Sequence, residues 1–123
     1  MIRTLVVLAL ACAAAFSLPS SAAAQRDALR RFALIAGAND GGPSRVRLRY
    51  AGSDARAMAR VLEELGGVDP SDRLLLVDFD RADLQRALVE LQARLEAARR
   101  GGERLELFVY YSGHSDEEGL LLG

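Results

Sequence analysis

Leu105-Glu106-Leu107-Phe108-Val109-Tyr110-Tyr111-Ser112-Gly113-His114 is the stretch that decides how this 123-residue chain is read. An apolar, aromatic run of strand composition stops at Ser112-Gly113, a pair that breaks strands. The only histidine of the chain, His114, follows at once, and after it comes the acidic turn Ser115-Asp116-Glu117-Glu118-Gly119. The run predicts a buried strand. His114 is then expected at the carboxyl end of that strand, where open α/β sheets carry their working residues.

Two more apolar runs precede it. Phe32-Ala33-Leu34-Ile35-Ala36, ended by Gly37, is apolar on both faces, as a central parallel strand is. Leu74-Leu75-Leu76-Val77 predicts a second buried strand, ended by Asp78-Phe79-Asp80. Between them Ser53-Asp54 opens a helix in which Met58, Val61, Leu62 and Leu65 recur at helical spacing, and Gly66-Gly67 closes it. Asp80 is placed to cap a second helix, whose stripe is Leu84, Leu88, Leu91 and Leu95. Arg99 and Arg100 suit the C-terminal dipole, and Gly101-Gly102 ends that helix.

Strands joined by helices run parallel with right-handed crossovers. The expected fold is therefore α/β, a three-layer sandwich with a mainly parallel sheet. Its strand ends converge on one edge: Asn39-Asp40, then Asp78 to Asp80, then Ser112-Gly113-His114. Gly119-Leu120-Leu121-Leu122-Gly123 looks like another strand beginning. An apolar strand needs partners on either side, so the domain is expected to be incomplete at its C-terminus.

Length allows one domain. Met1-Ile2-Arg3, the apolar run Leu5 to Phe16, the break at Pro19-Ser20-Ser21 and the small residues Ala22-Ala23-Ala24 together read as a signal peptide over residues 1–24. The run is shorter than the ~20 residues of a spanning helix. Lipidation at Cys12 requires cleavage inside the apolar run and ranks below simple removal. Export to the periplasm or the exterior follows, with no membrane span afterwards. Residues 25–31 read as a lead-in and 32–123 as the domain.

Cys12 is the single cysteine and falls in the segment expected to be removed. The mature chain then has no disulfide, thiolate ligand or thiol nucleophile. One histidine gives no zinc-ligand spacing, and neither a metal nor a cofactor is expected. The sixteen basic residues are all arginine, spread along the chain and balanced by seventeen acids, so nucleic acid is not an expected partner.

The long loop from Ala38 to Gly52 is dense in turn residues at Asn39-Asp40-Gly41-Gly42-Pro43. Arg45, Arg47 and Arg49 alternate with Val46, Leu48 and Tyr50, which reads as a solvated loop with arginines outward. The glycine spacing does not fit a dinucleotide-binding turn. A receiver-like acidic pocket conflicts with the Ser-Gly-His ending of the third strand. A histidine on a short glycine-flanked turn at a strand end fits a general base.

These residues resemble the large-subunit half of caspase-like cysteine peptidases, the caspase and metacaspase group of the caspase-haemoglobinase fold. The resemblance rests on four stretches: Phe32 to Gly37, Leu48-Arg49-Tyr50-Ala51-Gly52-Ser53-Asp54-Ala55, Val61 to Gly66, and Phe108 to His114. It implies that His114 is the histidine of a Cys-His dyad. It implies that a backbone N–H beside it, here at Ser115 where much of the family has glycine, forms half of an oxyanion hole. Asp54 matches an acid that receives a basic side chain before the scissile bond, and it is equally placed as a helix N-cap. If the preference is instead for an acidic side chain, Arg47 or Arg49 is the cation. The resemblance also implies a peptide or protein substrate.

The nucleophile of such enzymes lies ~50 residues beyond the histidine, and only nine residues follow His114 (123 minus 114). The expectation is thus an exported caspase-like cysteine-type endopeptidase present as a fragment lacking its nucleophilic cysteine. A non-catalytic α/β binding or assembly module is the alternative. An unfinished sheet edge is expected to favour self-association. The residues specify neither calcium activation nor activation by cleavage.

Overall fold

Side-chain alternation along the first strand organises the molecule. The computed structural model describes residues 29–122; Gly123, the expected signal peptide and Cys12 lie outside them. Strand β1 (Leu29–Gly37) is followed by helix α1 (Ala51–Glu64), a 3-10 turn (Pro70–Asp72), β2 (Arg73–Val77), helix α2 (Arg81–Arg100) and β3 (Arg104–Ser112). Two short strands, β4 (His114–Asp116) and β5 (Gly119–Leu121), complete the order. The main sheet is β2-β1-β3, with β1 parallel to both neighbours. Its register with β3 runs from Leu29 opposite Arg104 to Gly37 opposite Ser112.

Successive side chains of a strand point to opposite faces. Phe32 and Leu34 accordingly pack with Ala87, Leu91 and Ala98 of α2. Ala33 and Ile35 pack with Ala55 and Ala59 of α1 and with Val68. One helix covers each face, and the three-layer α/β sandwich read from the element order is the fold.

Several elements differ in detail from their sequence reading. Strand β1 begins at Leu29, three residues ahead of Phe32, and Arg30 there clamps the nearly buried Asp72 with two hydrogen bonds of 2.7 and 2.8 Å. Helix α1 begins at Ala51 with Tyr50 at its N-cap and no side-chain cap. The Ser53 hydroxyl donates back to the Tyr50 carbonyl (2.8 Å), and Asp54 lies in the first turn rather than at the cap. The buried face of α1 is made of small residues, Ala51, Gly52, Ala55 and Ala59, while Val61 and Leu65 are exposed. Small residues let this helix ride close to the sheet; a Cβ on Gly37 would overlap the Ala51 carbonyl.

Helix α2 has the predicted cap, strengthened to a capping box: Asp80 accepts from the Asp83 N–H (2.7 Å) and Asp83 from the Asp80 N–H (3.1 Å). Its core stripe runs through Ala87, Leu91 and Ala98, and Leu88 is 47% exposed. Strand β3 was expected to be buried. Its middle is exposed at Leu107, Phe108 and Val109, because among the described residues no strand pairs with its far side. Strand β2 is half-buried for the same reason. The final apolar residues do not start a new strand of this sheet. They return as β5, antiparallel to β4, in a separate two-stranded ribbon.

Candidate active site

The three strand ends meet as expected, stitched by backbone groups. The Ala38 N–H donates to the Ser112 carbonyl and the Asp78 N–H to the Gly37 carbonyl, both at 2.9 Å. The Asn39 backbone N–H and side-chain amide each donate to Asp78 Oδ1 at 3.1 Å. Asp78 holds a left-handed φ of 48°, a region that aspartate tolerates better than most residues. These bonds set the start of the loop after β1 against the end of β3.

The loop then folds back over His114. The Gly42 N–H donates to Asp40 Oδ1 (2.9 Å), the Arg45 N–H to the Gly42 carbonyl (3.1 Å) and the Leu48 N–H to the Asn39 carbonyl (2.8 Å). Gly41 is buried directly against the imidazole, and a Cβ there would overlap the ring. On the other side, His114 Nε2 lies 2.8 Å from the Val46 carbonyl oxygen. A carbonyl only accepts, so Nε2 carries the proton and donates; in the neutral ring Nδ1 is then the bare acceptor. Arg45 reaches Asp116 at 3.4 Å and ties the same loop to β4.

The arginines of this loop are exposed, as read from the sequence. The groups that hold the histidine are a glycine and a main-chain carbonyl. A side-chain pattern does not display either, although the turn cluster around Gly41 marks where the chain reverses.

The remaining candidates divide. The Ser112 hydroxyl donates to Asp54 Oδ2 at 3.5 Å, a long contact that brings Asp54 to the end of β3, two residues before His114. Ser115 follows the histidine in β4, opposite Leu120. Among the described residues only Asp78 is a non-glycine with positive φ, so Ser115 needs no glycine-like backbone. Arg47 lines a cleft of about 260 Å³ with Ala38, Asp40, Asp78, Phe79 and Asp80. Arg49 is exposed and lines no part of that cleft. Among the described residues no group of three or more His, Cys, Asp or Glu side chains is arranged to hold a metal ion, and no helix is long and apolar enough to cross a membrane.

Tyr111, in sequence only a strand aromatic, is a neighbour of His114 through its hydroxyl. Its hydroxyl lies 3.0 Å from the His114 carbonyl oxygen and 2.9 Å from that of Leu121. Burial pushes its pKa above the ordinary tyrosine value, which keeps it a neutral donor.

The geometry thus offers a strand-end imidazole bonded through Nε2 to a main-chain carbonyl, an acid at the adjoining helix start, and an acid-lined cleft formed by the loops after β1 and β2. A family model described as the caspase domain matches residues 30–122. No curated protein and no solved structure matches the chain.

Proposed function

We propose, from the premise that this chain belongs to the caspase domain family, that it is the histidine-bearing part of an exported cysteine-type endopeptidase acting on peptide or protein substrates. In this reading Nδ1 of His114 takes the proton of a cysteine thiol, and the thiolate attacks the peptide carbonyl. The imidazolium that forms keeps its Nε2–H on the Val46 carbonyl, where the hydrogen bond strengthens with the ring's charge. The same ring later returns the proton to the leaving amine. The Ser115 N–H is assigned to the oxyanion. The 2.8 Å bond between Nε2 and Val46 is the observation that carries the proposal, because it leaves Nδ1 as the free base.

Asp54 is assigned to a basic side chain before the scissile bond. Two observations support a basic over an acidic preference. Asp54 is not occupied as a helix cap. Arg47, one of the two rival cations, sits in a cleft lined by the three acids Asp40, Asp78 and Asp80, a poor place for an incoming carboxylate, and Arg49 lies outside that cleft.

Fluorogenic peptides with Arg or Asp before the cleavable bond test this. The 123-residue polypeptide, whose single cysteine precedes the fold, is expected to cut neither. Joined to a segment that supplies a nucleophilic cysteine, it is expected to cut the Arg peptide. His114→Ala then lowers kcat/KM by at least ~100-fold, and Asp54→Ala raises KM for the Arg peptide. Turnover by the 123-residue polypeptide, or an undiminished rate in the His114→Ala enzyme, contradicts the proposal.

A further inference from the structure

We propose that Tyr111 is the positioning residue of the His114 imidazole, its hydroxyl bridging the carbonyls of His114 and Leu121 and so fixing the β4-β5 ribbon beneath the loop that holds the ring. This deepens the reading of His114 as a general base and rests on it.

The ribbon is only three residue pairs long, from His114 opposite Leu121 to Asp116 opposite Gly119. A two-stranded ribbon of that size does not hold itself in water. Among the described residues two polar ties join it to the loop, Arg45 to Asp116 and His114 Nε2 to the Val46 carbonyl. Both act from the loop side, and neither relates the ribbon to the sheet. On the sheet side the Tyr111 hydroxyl makes the polar tie. Its single proton is shared between two carbonyl oxygens, one from each strand of the ribbon.

The hydroxyl is fixed in space because the ring is. Tyr111 packs in the apolar cluster of Ala36, Ala38 and Phe79, which Leu76, Leu84 and Leu122 also join. Its neighbour Tyr110 faces the opposite helix with Ala33 and Ile35. Gly113 completes the arrangement: any side chain there would collide with the Tyr111 hydroxyl, so a glycine before the histidine lets the main chain pass over it. Without the hydroxyl, the His114 and Leu121 carbonyls lose their donor, and on the sheet side only the packing of Leu122 and the chain at Gly113 still hold the ribbon, which loosens it. The ring then slides off Gly41 and its bond to Val46 loosens.

His114 is the only histidine, so its ring signals identify themselves in an isotope-labelled full chain. The wild type is expected to show a hydrogen-bonded Nε2–H and a close contact between the ring Hδ2 and the Gly41 α-protons. In Tyr111→Phe, exchange of the Nε2–H with water is expected to accelerate about tenfold or more. The Gly41 contact weakens with it, while the amides of Ala33 to Ile35 stay protected. A Tyr111→Phe chain that keeps both ring signals with an intact sheet overturns the proposal. A wild-type ring protonated at Nδ1 instead overturns the general-base reading and is recognisable before any variant is made. If Tyr111→Phe loses its sheet protection, Gly113→Ala carries the same test. It displaces the hydroxyl and keeps the aromatic ring, with the same loss expected and the same retention overturning.

Discussion

The imidazole of His114 rests between the backbone of Gly41 and the carbonyl of Val46. The position of the histidine was legible, because a lone histidine straight after a strand-breaking Ser-Gly has few other places to go. Its partners were not, since a bare glycine and a main-chain oxygen leave no trace in side-chain chemistry. Asp54 was legible as an acid near a helix start. Its freedom from capping was not, because helix α1 starts at Ala51, three residues before it, and its N-cap is Tyr50, which makes no side-chain cap. Asp80 illustrates the opposite case, a cap read correctly from one residue. The Asp83 N–H donating to it is the largest of the effects that hold its carboxyl below the ordinary value of 3.8. A carboxyl whose pKa is lower in the folded than in the unfolded chain adds stability above the ordinary value. That contribution is lost as pH falls through the folded pKa. Asp80→Asn keeps an oxygen acceptor and removes the titration. Thermal melts are therefore expected to favour the wild type near neutrality, with the gap closing as pH falls below 3.8. A gap independent of pH contradicts this.

At the scale of elements, the order of strands and helices was readable from apolar runs and their punctuation. The faces of the helices were less so. Periodicity counts large apolar residues, whereas both helices bury alanines where they meet the sheet. On α2 the buried line passes through Ala87, Leu91 and Ala98, and Leu88 turns toward solvent. Leu91→Ala is expected to cost about 2–5 kcal/mol in denaturant unfolding, and Leu88→Ala less than about 1 kcal/mol. Equal costs would restore the evenly spaced leucine stripe. The strand at Gly119 was readable from its apolar run, but β4 and its pairing with β5 were not, because a strand of three polar residues, His114 to Asp116, carries no periodic signal.

For the whole molecule, the three-layer arrangement follows from one central strand that is apolar on both faces, and the sequence shows this plainly at Phe32 to Ala36. Burial of β3 does not follow in the same way. A strand of core composition is covered only when another strand lies beside it, and β3 forms an edge of the described sheet. Val109 there is 68% exposed, with Leu107 and Phe108 also exposed. Apolar strand edges template association. Sedimentation equilibrium is expected to show concentration-dependent association of the 123-residue chain, reduced by Val109→Lys. A monomer at every concentration, or association indifferent to that charge, would contradict this.

General-base action by His114 requires a bare Nδ1 while the Nε2–H is held by the Val46 carbonyl. Long-range proton–nitrogen correlation of this single histidine at a pH where the ring is neutral reads both nitrogens directly. One tautomer is expected, with Nε2 protonated and hydrogen-bonded and Nδ1 bare. A ring protonated at Nδ1, or one exchanging between tautomers like free imidazole, would contradict it.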